Sequence, residues 1–338
     1  VQHSAFPLPT ENTVDNGIEL SIVVPVFNEE ESVAPLIARI VAALADFDKP
    51  WELILVDDGS TDATVVNARK SATDYAIDLR LVEFQRNFGQ SAGLQAGFDH
   101  ARGRLIATLD GDLQNDPMDI PMMIEALEER DLDLLSGWRK SRQDGLVLRK
   151  IPSWCANSLI GATTGVHLHD YGCSLKIYRA SIIKQVRILG DMHRFIPAWV
   201  ASVVPSSRIG EIVVNHHARQ FGQSKYGISR TVRVLLDLLS VLFFMRFKQR
   251  PGHFFGTIGF AAGALSMLIL AYLGIEKFVF GESIGARPLL LVGVMLFLSS
   301  VQLITTGIVA ELITRSHLGG PGATGYIVRQ EARPGDGA

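Results

Sequence analysis

The chain has only two cysteines among its 338 residues, Cys155 and Cys173. They form no CxxC pair and no zinc-holding spacing, so they read as small buried residues in a reducing compartment. No GxGxxG follows the first apolar run, and no GxxxxGK[ST] occurs anywhere. Those absences exclude the dinucleotide-dehydrogenase fingerprint and the P-loop of kinases and ATPases. HExxH is missing as well, and the pairs His167/His169 and His216/His217 read as surface or packing residues rather than metal ligands. Positive charge is in short supply: 32 Lys and Arg against 35 Asp and Glu leave a net charge of −3, which gives no support to a nucleic-acid partner. There is no internal repeat and no low-complexity tract. Residues 1–19 are polar, contain Pro7 and Pro9 and lack the apolar stretch of a secretory signal, so a flexible N-terminal arm is expected.

Apolar residues make up 47% of the chain and charged residues 20%, which excludes a disordered polymer. They are unevenly spread. Residues 254–274 contain no charge over 21 positions, and residues 288–310 contain none over 23. Each run is long enough to cross a hydrocarbon core of about 30 Å as a helix. The 13-residue link 275–287 suits a tight transmembrane hairpin over 251–315. Arg246, Lys248 and Arg250 precede the first run and Arg315 and Arg329 follow the second, whereas the link carries only Lys277 and Arg287 as cations. The positive-inside rule then places both termini, including the tail 316–338, and the polar domain in the cytoplasm. Between that domain and the hairpin, residues 229–250 hold a short apolar core interrupted by Arg230, Arg233 and Asp237. An amphipathic helix lying in the membrane interface is expected there, with a core helix of the polar domain as the alternative.

Residues 20–228 read as an α/β domain with a mostly parallel sheet and helices on both faces. Strands are expected over 20–26, 53–56, 79–84, 105–109 and 132–136, alternating with helices. The first helix is expected from a capping box at Asn28 with Glu31, the second from a cap at Thr61, and the fourth from Asp116-Pro117.

The most informative turn is Asp110-Gly111-Asp112, where a buried strand ends just before a helix begins. In open α/β sheets, ligands bind outside the carboxyl ends of the strands. If the chain stays extended, Asp110, Asp112 and Gln114 point to one side and offer three oxygens to a hard divalent cation, Mg²⁺ or Mn²⁺. Right-handed crossovers bring the other strand ends, Pro25-Val-Phe-Asn-Glu29, Asp57-Asp58-Gly59-Ser60 and Arg86-Asn87-Phe88-Gly89, to the same rim. A nucleotide lying across them would meet Asp58 at its base or ribose and Glu29 at its ribose hydroxyls. Its diphosphate would meet Asp110 and Asp112 through a metal.

These loops carry a resemblance. Val23-Val-Pro-Val-Phe-Asn-Glu29, Leu55-Val-Asp-Asp-Gly-Ser-Thr-Asp62 and Asp110-Gly-Asp112 are similar to the nucleotide-sugar domain of family 2, GT-A fold glycosyltransferases. Arg86-Asn-Phe-Gly-Gln-Ser, Tyr171-Gly-Cys-Ser-Leu-Lys176 and Arg219-Gln-Phe-Gly-Gln-Ser-Lys-Tyr226 narrow the resemblance. They look like the polyprenyl-phosphate group, which includes dolichyl-phosphate mannose synthases and bacterial undecaprenyl-phosphate sugar transferases. The resemblance covers residues 20–315. It departs at Gly111, where many relatives carry Ala, and the Gln-x-x-Arg-Trp motif of processive polysaccharide synthases is absent.

The resemblance implies a nucleotide-sugar site at Pro25, Phe27, Glu29, Asp57, Asp58, Asn87, Gly89, Asp110 and Gly111. It implies metal binding through Asp110, Asp112 and Gln114, and chemistry at Asp110, Asp112 and Asp170, the last touching sugar hydroxyls. It places the acceptor lipid phosphate near Arg139, Arg149, Ser153 and Arg219, with Ser224 and Lys225 in the same motif. Independently, a phosphate monoester is already anionic near neutral pH and needs cations more than a base, which arginine forks supply. The implied reaction is an inverting transfer from UDP-glucose first, GDP-mannose next, to a lipid such as undecaprenyl phosphate. The setting would be the bacterial inner membrane, with a homo-oligomer, a tetramer by analogy. Two other readings stay open: a transferase of the same fold acting on another glycolipid or a protein, and a non-catalytic scaffold that binds sugar nucleotides.

Overall fold

In a computed structural model, residues 17–140, 161, 165–188, 192–218 and 251–318 are described. The chain forms two compact units, Val1–Met245 and Arg246–Ala338.

The first unit is built on alternation. β1 (Leu20–Val26), β2 (Trp51–Asp57), β3 (Leu79–Glu83) and β4 (Leu105–Thr108) are joined by α1 (Val33–Ala43), α2 (Thr64–Asp74) and α3 (Gln90–His100). α4 (Asp119–Glu129) leads to β5 (Leu134–Trp138), and β6 (Lys176–Arg179) and β7 (Ile209–Val213) follow. The seven strands lie in the order β3-β2-β1-β4-β6-β5-β7. β6 runs antiparallel to β4 and β5, while the other pairs are parallel. The central strands β1, β2 and β4 are covered on both faces and read as near-continuous apolar runs. Ile22 and Val24 of β1 join Leu36, Ile40, Met123 and Leu127 on one face. Val23 joins Phe98, Ile106, Tyr178 and Trp199 on the other.

Two strands were not anticipated. β6 is four residues long and begins with Lys176, and β7 carries Glu211; the charges break the apolar signal that marks the other strands. The expected capping box is also replaced. Asn28 adopts a left-handed backbone, φ 55°, and its side-chain Oδ1 accepts the Thr61 amide at 2.9 Å. The asparagine therefore ties the β1–α1 loop to the β2–α2 loop, and α1 begins at Val33 after a turn closed by the Val33 amide on the Glu29 carbonyl. Thr61 is no cap either; Asp62 accepts the Thr64 amide at 3.0 Å at the start of α2. Asp116 does accept the Met118 amide at 3.1 Å, although α4 proper starts at Asp119.

The second unit has two long apolar helices, Pro251–Phe278 and Pro288–Leu318. Within them, Gly252–Phe278 and Pro288–Ile313 are long and apolar enough to cross a membrane. Small residues let the backbones meet, the usual device where lipid offers no hydrophobic drive between helices. The Ser266 hydroxyl donates to the Gly293 carbonyl at 2.8 Å and the Ser300 hydroxyl to the Gly259 carbonyl at 2.7 Å. A Cβ on Gly259 would lie 2.8 Å from Ile304 Cγ1. The interfacial helix expected over 229–250 falls outside the described residues.

At the edge of the sheet away from the strand carboxyl ends, Glu19 accepts Arg104 Nε at 3.1 Å and Lys49 Nζ at 3.0 Å. Hydrogen bonding to Arg104, against a smaller opposing effect of burial, lowers the Glu19 pKa to about 2. A depressed carboxylate stabilises the fold above its unfolded pKa and loses that contribution as pH falls through the folded value. Glu19→Gln is therefore expected to lower the melting temperature at pH 7. The difference from wild type should shrink as pH falls from about 4.3, the ordinary glutamate value, towards 2. An undiminished difference at the acid end would contradict the assignment.

Candidate active site

Strand order reverses beside β1, which has β2 on one side and β4 on the other. A crevice opens at such a switch point. Antiparallel β6 delivers its first residues, rather than its last, to the same rim. The carboxyl ends of β1, β2, β4, β5 and β7 and the start of β6 thus share one edge of the sheet.

On the β1–β2–β3 side the loops hold one another. Asp57 is buried and accepts the Ser60 amide at 3.1 Å. Asp58, also buried, accepts the amides of Phe88 at 2.6 Å and Gly89 at 2.9 Å. Its carboxylate, expected at a base or ribose, also fixes the 86–89 loop. Gly59 permits this approach: its φ is +76°, and a Cβ would lie 2.6 Å from the Arg86 carbonyl carbon. Asn87 and Phe88 are exposed, with Arg86 4.6 Å above the Phe88 ring centroid. Phe27 is exposed and Pro25 half-buried beside it. Glu29 is half-buried, and its carboxylate accepts the Ser32 hydroxyl.

The acidic turn follows β4. The chain does not stay extended through it: Leu113 has φ 64° and the Gln114 amide donates to Asp112 Oδ1 at 3.2 Å. The expected alternation of Asp110, Asp112 and Gln114 is replaced by a tight turn, because the chain must double back between β4 and α4. Burial raises the Asp110 pKa and the neighbouring Asp112 charge raises it further, opposed by the Ser174 hydroxyl and the charges of Arg139 and Lys176. Gln90, the first residue of α3, donates Nε2 to Asp110 Oδ1 at 2.6 Å. Gly111 packs tightly: a Cβ would lie 2.9 Å from Val26 Cγ1, so the alanine of relatives would need that valine to give. Among the described residues, no three His, Cys, Asp or Glu side chains form a metal cluster. Two carboxylates that complete a cation's shell with substrate phosphate and water are the usual Mg²⁺ arrangement.

Behind the turn lies a polar layer that sequence reasoning missed. The Ser174 hydroxyl donates to Asn115 Oδ1 at 2.6 Å, and the buried Lys176 ammonium donates to the Cys173 carbonyl. Burial lowers the Lys176 pKa and raises that of the Cys173 thiol. A lysine inside the apolar stretch Leu175-Lys-Ile-Tyr178 was the available signal. The segment after β7 is stitched to the same turn. The His217 amide donates to the Gln114 carbonyl at 2.8 Å, His217 Nε2 meets Asp116 Oδ2 at 3.0 Å, and Asn215 makes two hydrogen bonds to Asp119. His169 stacks on Trp138 with centroids 4.2 Å apart and pairs with Glu211. Both histidines thus sit at the surface against a carboxylate.

Arg139, at the end of β5, and Asp170 were assigned separate roles, and the structure puts them on each other. Arg139 Nε donates to Asp170 Oδ2 at 2.7 Å and Nη2 to Oδ1 at 3.0 Å. Burial works against the Arg139 charge, but the Asp170 hydrogen bonds and charge outweigh it and raise its pKa. Arg149, Ser153, Arg219, Ser224 and Lys225 lie outside the described residues.

A rim of paired carboxylates with an arginine fork beside it lies outside the strand carboxyl ends, where α/β sheets bind ligands. The profile of Glycosyl transferase family 2 matches residues 21–187. Across 330 residues, 98% of each chain, the protein is 67% identical to dodecaprenyl-phosphate galacturonate synthase of Rhizobium johnstonii. Across 322 residues, 94% of each chain, it is 35% identical to undecaprenyl-phosphate 4-deoxy-4-formamido-L-arabinose transferase of Salmonella paratyphi A. The chain therefore belongs to Glycosyl transferase family 2, in its polyprenyl-phosphate sugar transferase group, and it is a glycosyltransferase. Among solved structures, glucosyl-3-phosphoglycerate synthase of Mycobacterium tuberculosis in complex with Mg²⁺ and UDP matches with a TM-score of 0.51 at 17% identity. That match covers 70% of this chain and 85% of that one, and it shows the shared GT-A fold.

The Asp58 clamp is directly testable. Hydrogen bonds to a charged group contribute about 1.5–3 kcal/mol, so Asp58→Ala should speed hydrogen exchange at the Phe88 and Gly89 amides by roughly 10- to 100-fold. Unchanged protection at both would show that the loop is held by something else.

Proposed function

We propose that the protein transfers galacturonate from UDP-galacturonate to a polyprenyl phosphate at a membrane surface. The observation that carries this reading is the end-to-end similarity to the Rhizobium enzyme, which spans both the rim and the two long apolar helices. A uronate replaces the glucose that the family resemblance put first.

The nucleotide lies along Pro25, Phe27, Glu29, Asp57, Asp58, Asn87, Gly89 and Gly111. Asp112 and Asp110, with Gln114 alongside, would hold a divalent cation, Mg²⁺ or Mn²⁺, which would supply positive charge to offset that of the diphosphate. The site fits such an ion. Its donors are hard oxygens, and a cation would favour the charged form of Asp110, which burial and the Asp112 charge disfavour. GT-A neighbours bound to Mg²⁺ or Mn²⁺ with UDP support the same choice.

The acceptor phosphate lies on the basic side of the rim, at Arg139 and, outside the described residues, Arg149, Ser153, Arg219, Ser224 and Lys225. A phosphate oxygen forms a bond to the anomeric carbon as the bond from that carbon to the diphosphate oxygen breaks. The leaving UDP keeps the electron pair, so a single displacement inverts the centre. The attacking oxygen is already anionic, and no proton has to be removed. Asp170 steadies sugar hydroxyls. The two apolar helices anchor the chain in the bacterial inner membrane, with the catalytic domain and both termini in the cytoplasm, and the chain assembles as a homo-oligomer, a tetramer by analogy.

The test is transfer of labelled galacturonate by the full chain in membranes supplied with undecaprenyl or dodecaprenyl phosphate. Product should appear with UDP-galacturonate, vanish with EDTA and return with Mg²⁺ or Mn²⁺. Asp112→Ala should lower kcat about 100-fold or more, the scale for losing a main charge stabiliser. A wild-type rate in Asp112→Ala would remove the metal role, and transfer from UDP-glucose but not UDP-galacturonate would remove the sugar assignment.

A further inference from the structure

We propose that Asp170 is a resident stand-in on Arg139, exchanged for a substrate oxyanion when one arrives. The proposal rests on the sugar-transfer reading above for the identity of that oxyanion.

The pair is unusual in its burial. The Arg139 side chain is 11% exposed and that of Asp170 13%. An arginine so covered is costly to leave unpaired, because a desolvated charge without a partner destabilises the fold. It therefore needs an anion before substrate binds as well as after. Asp170 meets that need with a two-pronged contact, 2.7 Å and 3.0 Å, the geometry that an arginine fork also offers to a phosphate or an external carboxylate.

Three further features suit an exchange rather than a permanent pair. Asp170 Oδ1 also accepts the Gly172 amide at 3.1 Å, so the carboxylate keeps a backbone partner when it leaves the guanidinium. Gly172 carries no Cβ, and one there would lie 3.4 Å from Arg139 Nη2 and 3.6 Å from Asp170 Oδ1. The exposed glycine backbone thus sits directly against the ion pair. Finally, Arg139 belongs to the rim itself, where its charge acts on Asp110.

Replacing one oxyanion by another keeps the guanidinium neutralised throughout. The cost is competition, because apparent affinity falls by the fraction of time the fork is available. The arriving oxyanion has two possible sources on one substrate pair, the acceptor phosphate and the carboxylate of a uronate donor.

The experiment uses the full chain in lipid nanodiscs, as wild type, Asp170→Asn, Arg139→Gln and the double variant. The dissociation constants of undecaprenyl phosphate, UDP-galacturonate and UDP-galactose are read alongside KM and kcat. With the fork available about one-tenth of the time in wild type, Asp170→Asn should tighten binding of the visiting anion about ten-fold, whatever happens to kcat. Arg139→Gln should weaken it, and the double variant should match Arg139→Gln, because Asp170 acts through the fork. The double variant removes both charges, so it keeps the comparison valid if Arg139 alone is poorly tolerated. Tightening confined to undecaprenyl phosphate assigns the fork to the acceptor. Tightening for UDP-galacturonate but not UDP-galactose assigns it to the donor carboxylate. Unchanged or weaker binding of all three in Asp170→Asn overturns the exchange and leaves Asp170 as a support for Arg139. A wild type that binds these ligands without transferring sugar would overturn the transfer reading, while the binding constants would still decide the exchange.

Discussion

The burial of the Asp110 carboxylate beside the charge of Asp112 is the constraint to which the rest of the rim answers. Burial and the neighbouring Asp112 charge together push the Asp110 pKa up, so the fold holds the Asp110 carboxylate where its charge is disfavoured. It offsets this with the Gln90 amide, the Ser174 hydroxyl and the charges of Arg139 and Lys176. Those groups come from α3, β5 and the start of β6, elements far apart in the chain. The arrangement is consistent with the proposed cation and diphosphate site. It is costly as scaffold alone, since hydrophobic residues would fill the same volume at less expense.

The sheet topology makes that gathering possible. Parallel β1, β2, β4 and β5 bring their carboxyl ends to one edge, and antiparallel β6 brings its amino end to the same edge. A parallel β6 would have carried Lys176 to the opposite rim. The segment after β7 returns to the acidic turn through Asn215 and His217. His217, next to the last described residue of this segment, thus lies beside the turn.

Much of this was legible in the sequence. The four βα turns announced themselves as short polar loops after apolar runs, and both long apolar helices stood out by the absence of charge. What escaped notice was non-local. Asn28 has the residue type and spacing of a helix cap, yet its side chain serves a loop 33 residues away. Asp110, Asp112 and Gln114 follow the alternation of an extended chain, but the left-handed backbone at Leu113 folds them into a turn. β6 and β7 were missed because Lys176 and Glu211 break the apolar pattern. Arg139 and Asp170, 31 residues apart, could be assigned to different ligands until the fold showed them sharing three hydrogen bonds.

The central claim is that the Asp110–Asp112 turn binds the nucleotide diphosphate through a divalent cation. Calorimetric titration of UDP into the full-length protein, with and without Mn²⁺, tests it without requiring turnover. The account predicts that Mn²⁺ tightens UDP binding by about ten-fold or more, equivalent to roughly 1.4 kcal/mol, and that Asp112→Asn abolishes the gain. Equal UDP affinity with and without the metal in wild type, or an undiminished gain in Asp112→Asn, would contradict it.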